Sequence, residues 1–261
     1  MDEHKNVADY SSLYKRDTYL NKDIPFIYGT NIYEYDIHHA GISICKYFDL
    51  LPEEEIERIE NKSKNKKQIA VTLGKLQRKN SEFKKKLAEG FVNAREIFFR
   101  ENNLQDEDIL SIKKDAIFTF RTCDKCIFGP LEFSQKNHYT SFVHIVQYEL
   151  YYSYDKLDVK GIDDKILYQY KDYMMEFISK VFYKMENETK EDTLRYIRVF
   201  SDRYKRLELE PEYYRSFDRE GSFKSKDGEH VYNMATPELL PEIDISFNYM
   251  NVILPLLKTI I

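Results

Sequence analysis

A run of helical periodicity between two strand-like segments is the feature that most limits the fold of this chain. From residue 65 to residue 102, apolar side chains recur at spacings of three and four, which predicts one helix or two close ones. The positions are Ile69, Leu73, Leu76, Phe83, Leu87, Phe91, Ala94 and Phe98. Strand-like residues precede this run at 31–37 and resume at 109, so the pattern predicts helices inserted between strands.

The rest of the chain predicts an α+β protein. Short helices are expected near 40–50 and from Pro52, and strands at 109–120, around 126–134 and near 140–152. Helical patterns return at 164–187 and 190–210, and turn signals at 218–221 and 226–228 flank a hairpin. Residues 1–30 look irregular. We therefore expect an N-terminal arm (1–30), a central domain (31–163) with a helical insertion at 52–103, and a helical C-terminal region (164–261).

Composition sets the broad class. The chain has 261 residues, 42% of them hydrophobic, which suffices for a globular core. No apolar stretch approaches the roughly 20 residues that a membrane span needs, and the acidic start lacks the regions of a signal peptide. We expect a cytoplasmic protein that does not bind membranes. The formal charge of −5 argues mildly against a protein that coats nucleic acid, although a local basic face can coexist with an acidic total.

Two acids, Asp36 and Asp115, are the most promising residues for chemistry. Each lies in a short hydrophobic, strand-like run, where an ionised carboxylate is costly unless a cation or hydrogen bonds compensate it. Two such strands side by side would make a site for a divalent metal. The alternative is structural: either acid caps a helix or pairs with Lys113 or Lys114.

These residues resemble the palm of template-directed polymerases, most closely the family B DNA polymerases of viruses and phages. The family's first acidic motif is a strand ending in Asp and followed by a helix, as in Tyr35-Asp36-Ile37 before Ala40. Its second is a β-hairpin motif, against which Ser111–Phe118 aligns with Asp115 on the later aspartate. Lys136-Asn-His-Tyr139 and Val159-Lys-Gly161 follow in the family's order. The resemblance covers roughly residues 30–165.

The resemblance implies a palm-like antiparallel sheet with finger-like helices and a thumb-like C-terminal region. Asp36 and Asp115 would hold two ions of Mg²⁺, or of Mn²⁺, for nucleotidyl transfer to a primed nucleic acid, with Glu34 assisting. Basic residues of the long helical run would contact the nucleoside triphosphate, and others would hold the nucleic-acid backbone or stack on it. The first set is Lys75, Arg78 and Lys79, and the second is Lys136, Tyr139 and Lys160.

The departures from the family pattern favour a second hypothesis. Lys113 stands where the family has the first hairpin acid, and Gly41 where it has a sugar-selecting aromatic. The family's finger motif is missing between the acids. The alternative is therefore a catalytically inactive palm that binds nucleic acid or a protein partner, such as a replication or host protein. An unrelated α+β interaction protein is the third hypothesis, and it predicts that the two acids lie far apart.

Two local patterns have plainer explanations. The basic run from Lys62 to Lys86 is most often a solvated helix face. Cys123-Asp-Lys-Cys126 resembles half of a zinc knuckle, with His138 as the nearest further ligand. Since no second cysteine pair exists, a reduced hairpin turn is favoured there.

Overall fold

The structure is a computed structural model that describes residues 10–63, 65–154 and 156–261. The chain divides into two compact units that interleave along the sequence. The first comprises Met1–Lys22 and Asn31–His138, and the second comprises Asp23–Thr30 and Tyr139–Ile261. None of the described helices is long and apolar enough to cross a membrane.

The first unit contains four α-helices inserted between strands, with a two-residue strand after them. Two of the strands, β2 and β6, also supply residues to the second unit. The elements are β1 (Thr18–Leu20), β2 (Phe26–Ile37), α1 (Ala40–Tyr47), α2 (Glu53–Lys62), α3 (Lys66–Lys79), α4 (Ser81–Glu101), β3 (Ile109–Lys113), β4 (Ala116–Thr119), β5 (Ile127–Phe128) and β6 (Leu131–Ile145).

Asn80 divides the predicted long helical run into α3 and α4. Its backbone N–H donates to the Leu76 carbonyl at the end of α3, and its side-chain oxygen accepts from the Phe83 N–H at the start of α4. Gly90 lets α4 approach α1 closely, because a Cβ at that position would lie 2.5 Å from Ile44 Cγ2. The helices therefore pack tightly and bury their apolar faces in one core with the sheet.

The strands of the first unit lie in the order β1-β3-β4-β2-β6. The register of the antiparallel β2–β4 pair sets Asp36 opposite Ala116. Strands β3 and β4 form a hairpin whose turn is Lys114-Asp115. The end of β2 and the β3–β4 turn therefore lie at the same edge of the sheet.

The second unit packs helices against an antiparallel sheet in the order β2-β6-β7-β8. Its core is rich in aromatic rings, such as Phe177 and Phe200, whose centroids are 3.7 Å apart. A π-helical segment, Tyr249–Ile253, joins its last two helices. The elements not yet given are β7 (Tyr148–Ser153), β8 (Lys156–Lys160), α5 (Asp164–Leu167), α6 (Met174–Asn187), α7 (Lys190–Lys205), β9 (Phe223–Lys224), β10 (Val231–Tyr232), α8 (Ser246–Asn248) and α9 (Leu254–Ile260).

The predicted α+β class is confirmed. The predicted strand segment at 109–120 is a hairpin, and Asp115 lies in its turn instead of inside a strand. The stretch before residue 31, predicted to be irregular, contains β1 and the first residues of β2. A short segment without a strand-like hydrophobic pattern can still form a strand when a neighbouring strand completes its hydrogen bonds, as β3 does for β1.

Candidate active site

The structure brings Asp36 and Asp115 together. Because Asp115 directly precedes Ala116 and Asp36 lies opposite Ala116, the two carboxyl groups become neighbours, close enough to share a hydrogen bond when one of them is protonated. Burial, and then the charge of Asp36, raise the pKa of Asp115 to about 6. At neutral pH the site therefore holds two negative charges close together and half-buried.

A third carboxylate, Glu34, shares the strand face of Asp36 and is almost completely buried. The side-chain amide of Asn137 donates a hydrogen bond to it. The Lys136 ammonium lies 3.4 Å from Asp36 Oδ2 and 4.0 Å from Glu34 Oε1. Burial lowers the pKa of Lys136, but Glu34 and Asp36 outweigh that effect, so the pKa is raised and the lysine stays charged. The resemblance assigned Lys136 to a nucleic-acid backbone, whereas the structure places it against the acids.

Two adjoining cavities of the first unit meet at Asp115. The first has a volume of about 250 Å³, with apolar walls from α3 and α4 and polar groups from His39, Lys66 and Gln77. The second, of about 240 Å³, adds the cationic side chains of Lys84 and Lys114. Clefts of this kind, largely apolar with a few convergent polar groups and a carboxyl of raised pKa, are typical of ligand sites.

His39 faces the first cavity with an unused polar atom. It precedes α1 with a φ of 49°, and its Nδ1 is buried with no hydrogen-bond partner among the described residues. Burial, then His38 and Lys66, lower the pKa of His39, so its ring is neutral at pH 7. A neutral imidazole nitrogen can accept a hydrogen bond or a proton, but Nδ1 has almost no exposed surface here, so a ligand in the cavity would reach it only after the ring turned.

Arg95 fixes the turn that carries Asp115. Its guanidinium is completely buried and donates hydrogen bonds of 2.8 Å each to the Tyr14 and Lys114 carbonyl oxygens and to Asp17 Oδ1. The Lys114 N–H in turn donates to the Asp17 carbonyl at 2.8 Å. Lys114 is therefore held from both sides in its left-handed conformation, with a φ of 59°. The sequence interpretation missed Arg95, although an arginine on the buried face of a helix is itself a signal.

The comparisons with known proteins agree with part of this interpretation. The family model of the bacteriophage PBS1 gene 130 protein matches residues 9–261, nearly the whole chain. The chain belongs to this phage protein family. No curated protein matches it. The predicted phage origin is therefore confirmed, and the polymerase-like activity stays a prediction.

In this phage protein, Lys75, Arg78 and Lys79 are not among the residues that line the two cavities at Asp115. A residue of an α-helix is turned by about 100° from the one before it, so these three lie on the side of α3 opposite Lys66. The face of α3 that lines the cavity at Asp115 carries Lys66, Leu73 and Gln77 instead. Lys66 also acts on the pKa of Asp115, which it lowers.

Tyr139 and Lys160 lie in the second unit of the phage protein. Tyr139 is completely buried, and its hydroxyl donates to Asp158 while its ring packs against Tyr151. A base cannot stack on this ring unless the core opens. Lys160 lies opposite Glu149 in the β7–β8 pair.

The cysteines and one further cluster of the phage protein show no built metal site. Cys123 and Cys126 are free thiols, and burial raises the pKa of Cys123 to about 12, which keeps it protonated. Asp227, Glu229 and His230 have ligand atoms within 4.8 Å of one another in the second unit. All three are exposed.

Proposed function

We propose that this phage protein binds a divalent cation, Mg²⁺ or Mn²⁺, at Asp36 and Asp115 and acts as a nucleotidyltransferase on a primed nucleic acid. The observation that carries this proposal is the adjacent pair of carboxyl groups, in which the pKa of Asp115 is raised to about 6 by burial and by Asp36. A cation between two such groups would offset their repulsion. The adjacency of the two acids also distinguishes this proposal from the hypothesis of an unrelated α+β protein, which predicts that the acids lie far apart.

The donor set fits the cation. Carboxylate oxygens are the ligands that Mg²⁺ takes from proteins, usually one or two of them beside several waters. When bound, the ion would supply Lewis acidity to a phosphoryl oxygen. The site of Asp115 opens onto both cavities, which leaves room for a substrate beside the carboxylates.

The residues around the acids suggest how a nucleotide would be held. The Lys66 ammonium would contact its phosphates, the part first assigned to Lys75, Arg78 and Lys79, because Lys66 faces the cavity. Leu73 and Phe91 offer apolar walls to the sugar and base. His39 lines the same cavity, and its neutral imidazole would accept a proton from an attacking hydroxyl group only if the ring turned its buried Nδ1 toward the cavity.

The test is incorporation of labelled nucleotide on a primed template, with Mg²⁺ and then with Mn²⁺. We expect incorporation by the wild type, loss with Asp115→Asn, and no change with Asp124→Asn, which alters an exposed aspartate of the same unit. No incorporation by the wild type, or equal incorporation by the wild type and the Asp115 variant, would refute the enzymatic proposal.

One observation favours a second function, that of a catalytically inactive accessory or regulatory protein which binds nucleic acid or a replication or host protein. The Lys136 ammonium, 3.4 Å from Asp36, already supplies positive charge to the acids. A cytoplasmic location in the host cell belongs to both proposals.

Magnesium titration of thermal stability separates the two functions. If the acids bind the ion, Mg²⁺ raises the Tm of the wild type but not of Asp115→Asn. If Lys136 takes the place of the ion, Mg²⁺ leaves the wild type unchanged and raises the Tm only of Lys136→Ala.

A further inference from the structure

Helix α3 has cations without acids. Its fourteen residues include Lys66, Lys67, Lys75, Arg78 and Lys79, and no Asp or Glu. Other helices of the chain pair their lysines internally, as Lys86 pairs with Glu82 at 2.9 Å in α4. Like charges on one helix repel and destabilise it, whereas opposite charges paired along the helix stabilise it. The composition of α3 therefore lowers the stability of the free protein, unless an anion from outside compensates it.

Four of the cations around α3 line one groove. The groove lies between α2 and α3, has a volume of about 490 Å³, and is lined by the exposed side chains of Arg58, Lys62, Lys67 and Lys75. No carboxylate is among its lining residues within the described part of the chain. Positive charge is thus concentrated on one surface of a protein whose formal charge is −5.

Two of the acids of α2 are already engaged in ion pairs outside the groove or at its edge. Glu60 bonds to Lys46 of α1 at 2.7 Å, and Glu55 bonds to Arg58 at 2.7 Å. No ion pair is seen for Lys62, Lys67 or Lys75 among the residues that the structure describes. Three of the four cations therefore remain available for an outside anion.

We propose that this groove binds the phosphate backbone of single-stranded nucleic acid. Several cations in a row complement a chain of phosphates better than one small anion. The axes of two packed helices lie about 10 Å apart, so the surface depression between them is narrow and suits one extended strand better than a duplex. The half-exposed Val71 adds apolar surface against which a base would lie.

The groove and the acid site share α3. Lys75 lies about two and a half turns along α3 from Lys66 and therefore on the opposite side of the helix, so one helix presents phosphate-binding groups to a strand on one side and to the acid cavity on the other. The inference deepens the proposed function by naming the surface for the nucleic acid. The inference rests on the proposed function only where it identifies the bound polyanion as nucleic acid.

The test is fluorescence anisotropy with a labelled single-stranded 20-mer, without nucleotide and with a chelator instead of divalent cations. We expect the Lys67→Ala/Lys75→Ala variant to bind about 25-fold more weakly than the wild type at 0.1 M salt, since each lost phosphate contact contributes about 0.7 to the salt slope. The slope of log K against log salt would decrease by about 1.4. The control is Lys85→Ala/Lys86→Ala, which removes the same charge from α4. This variant should change the affinity and the salt slope much less than the groove variant does.

Absence of binding by the wild type at low salt, or equal weakening by the two double variants, would overturn the proposal. Asp115→Asn should bind the 20-mer as tightly as the wild type. Binding at the groove without nucleotide incorporation would therefore refute the enzymatic function and leave this inference standing.

Discussion

Two half-buried aspartates, one in each unit, occupy turns, and their pKa values are shifted in opposite directions. Asp115 in the first unit has a pKa raised to about 6, first by burial and then by Asp36. Burial also acts on Asp218 in the second unit, but hydrogen bonds from Lys224, the Gly221 N–H and Ser216 outweigh it, and the pKa of Asp218 is lowered.

The difference shows what holds each turn. Asp218 holds its own turn, because its carboxylate accepts bonds of 2.9 Å from the N–H groups of Glu220 and Gly221. The turn at Asp115 is held from outside, by Arg95 and the Asp17 carbonyl. The carboxylate of Asp115 is therefore free for another task, while that of Asp218 is committed to structure.

Arg95→Ala should break the first turn and give the largest loss. It leaves the carbonyl oxygens of Tyr14 and Lys114 without their donor and opens a cavity, so the free energy of unfolding should fall by roughly 3 kcal/mol. Urea denaturation measures this. Arg100→Ala, on an exposed position of the same helix, is the control and should cost less than about 0.5 kcal/mol. Equal losses for the two variants would contradict the role given to Arg95.

Asp218→Asn should destabilise the second turn by about 2 kcal/mol at pH 7, because charge-assisted hydrogen bonds are lost. Since the folded-state pKa of Asp218 is lowered, its stabilisation is present above the unfolded pKa of about 3.9 and is lost as the pH falls below it. Denaturation at pH 7 and at pH 3 should therefore show a difference between variant and wild type that shrinks at the lower pH. If the difference in stability between variant and wild type were the same at both pH values, the charge of the Asp218 carboxylate would not be what stabilises the turn.

Asp115→Asn should have the opposite sign and a smaller size. With a folded pKa of about 6, wild-type Asp115 contributes stability below the unfolded pKa of about 3.9 and loses it as the pH rises through 6. We expect the variant to be more stable than the wild type by about 1 kcal/mol at pH 7.5, where it removes repulsion with Asp36, and equal to it near pH 4. Destabilisation at pH 7.5 would show that Asp115 holds its turn, as Asp218 does.

The smallest effect concerns Lys114. Its φ of 59° is one that glycine adopts without strain, so Lys114→Gly should raise the free energy of unfolding by about 0.5 kcal/mol. Lys113→Gly in the neighbouring strand β3 should lower it by about 1 kcal/mol. Thermal unfolding of both variants checks the pair, and a loss with Lys114→Gly would mean that the side chain matters more than the backbone.

The sequence predicted the elements well because their patterns are local. Periodicity located α3 and α4, and the resemblance to a polymerase palm implied the adjacency of Asp36 and Asp115. The position of Lys75, Arg78 and Lys79 on α3 also had a local signal. The same periodicity that puts Ile69 and Leu73 on the core side turns those three cations away from it.

Other failures had no local signal. Which face of β6 carries Lys136 depends on the register between β2 and β6, and a shift of one residue would point it away from the acids. The burial of Tyr139 depends on strands β7 and β8, which come later in the chain and supply its partners Tyr151 and Asp158. The three bonds of Arg95 run to segments around Tyr14, Asp17 and Lys114, whose meeting point only the fold defines.

The pairing of β2 with β4 also bears on how the protein folds. Asp36 and Asp115 come from segments separated by four helices, so the chain must close a long loop before they meet, at an entropic cost. Above pH 6 that closure also brings two negative charges together, and below it a proton removes one of them. If this closure belongs to the rate-limiting step, the charged contact slows it. We then expect the chain to reach its native state faster below pH 6, or with a cation between the acids, than above pH 6 without one.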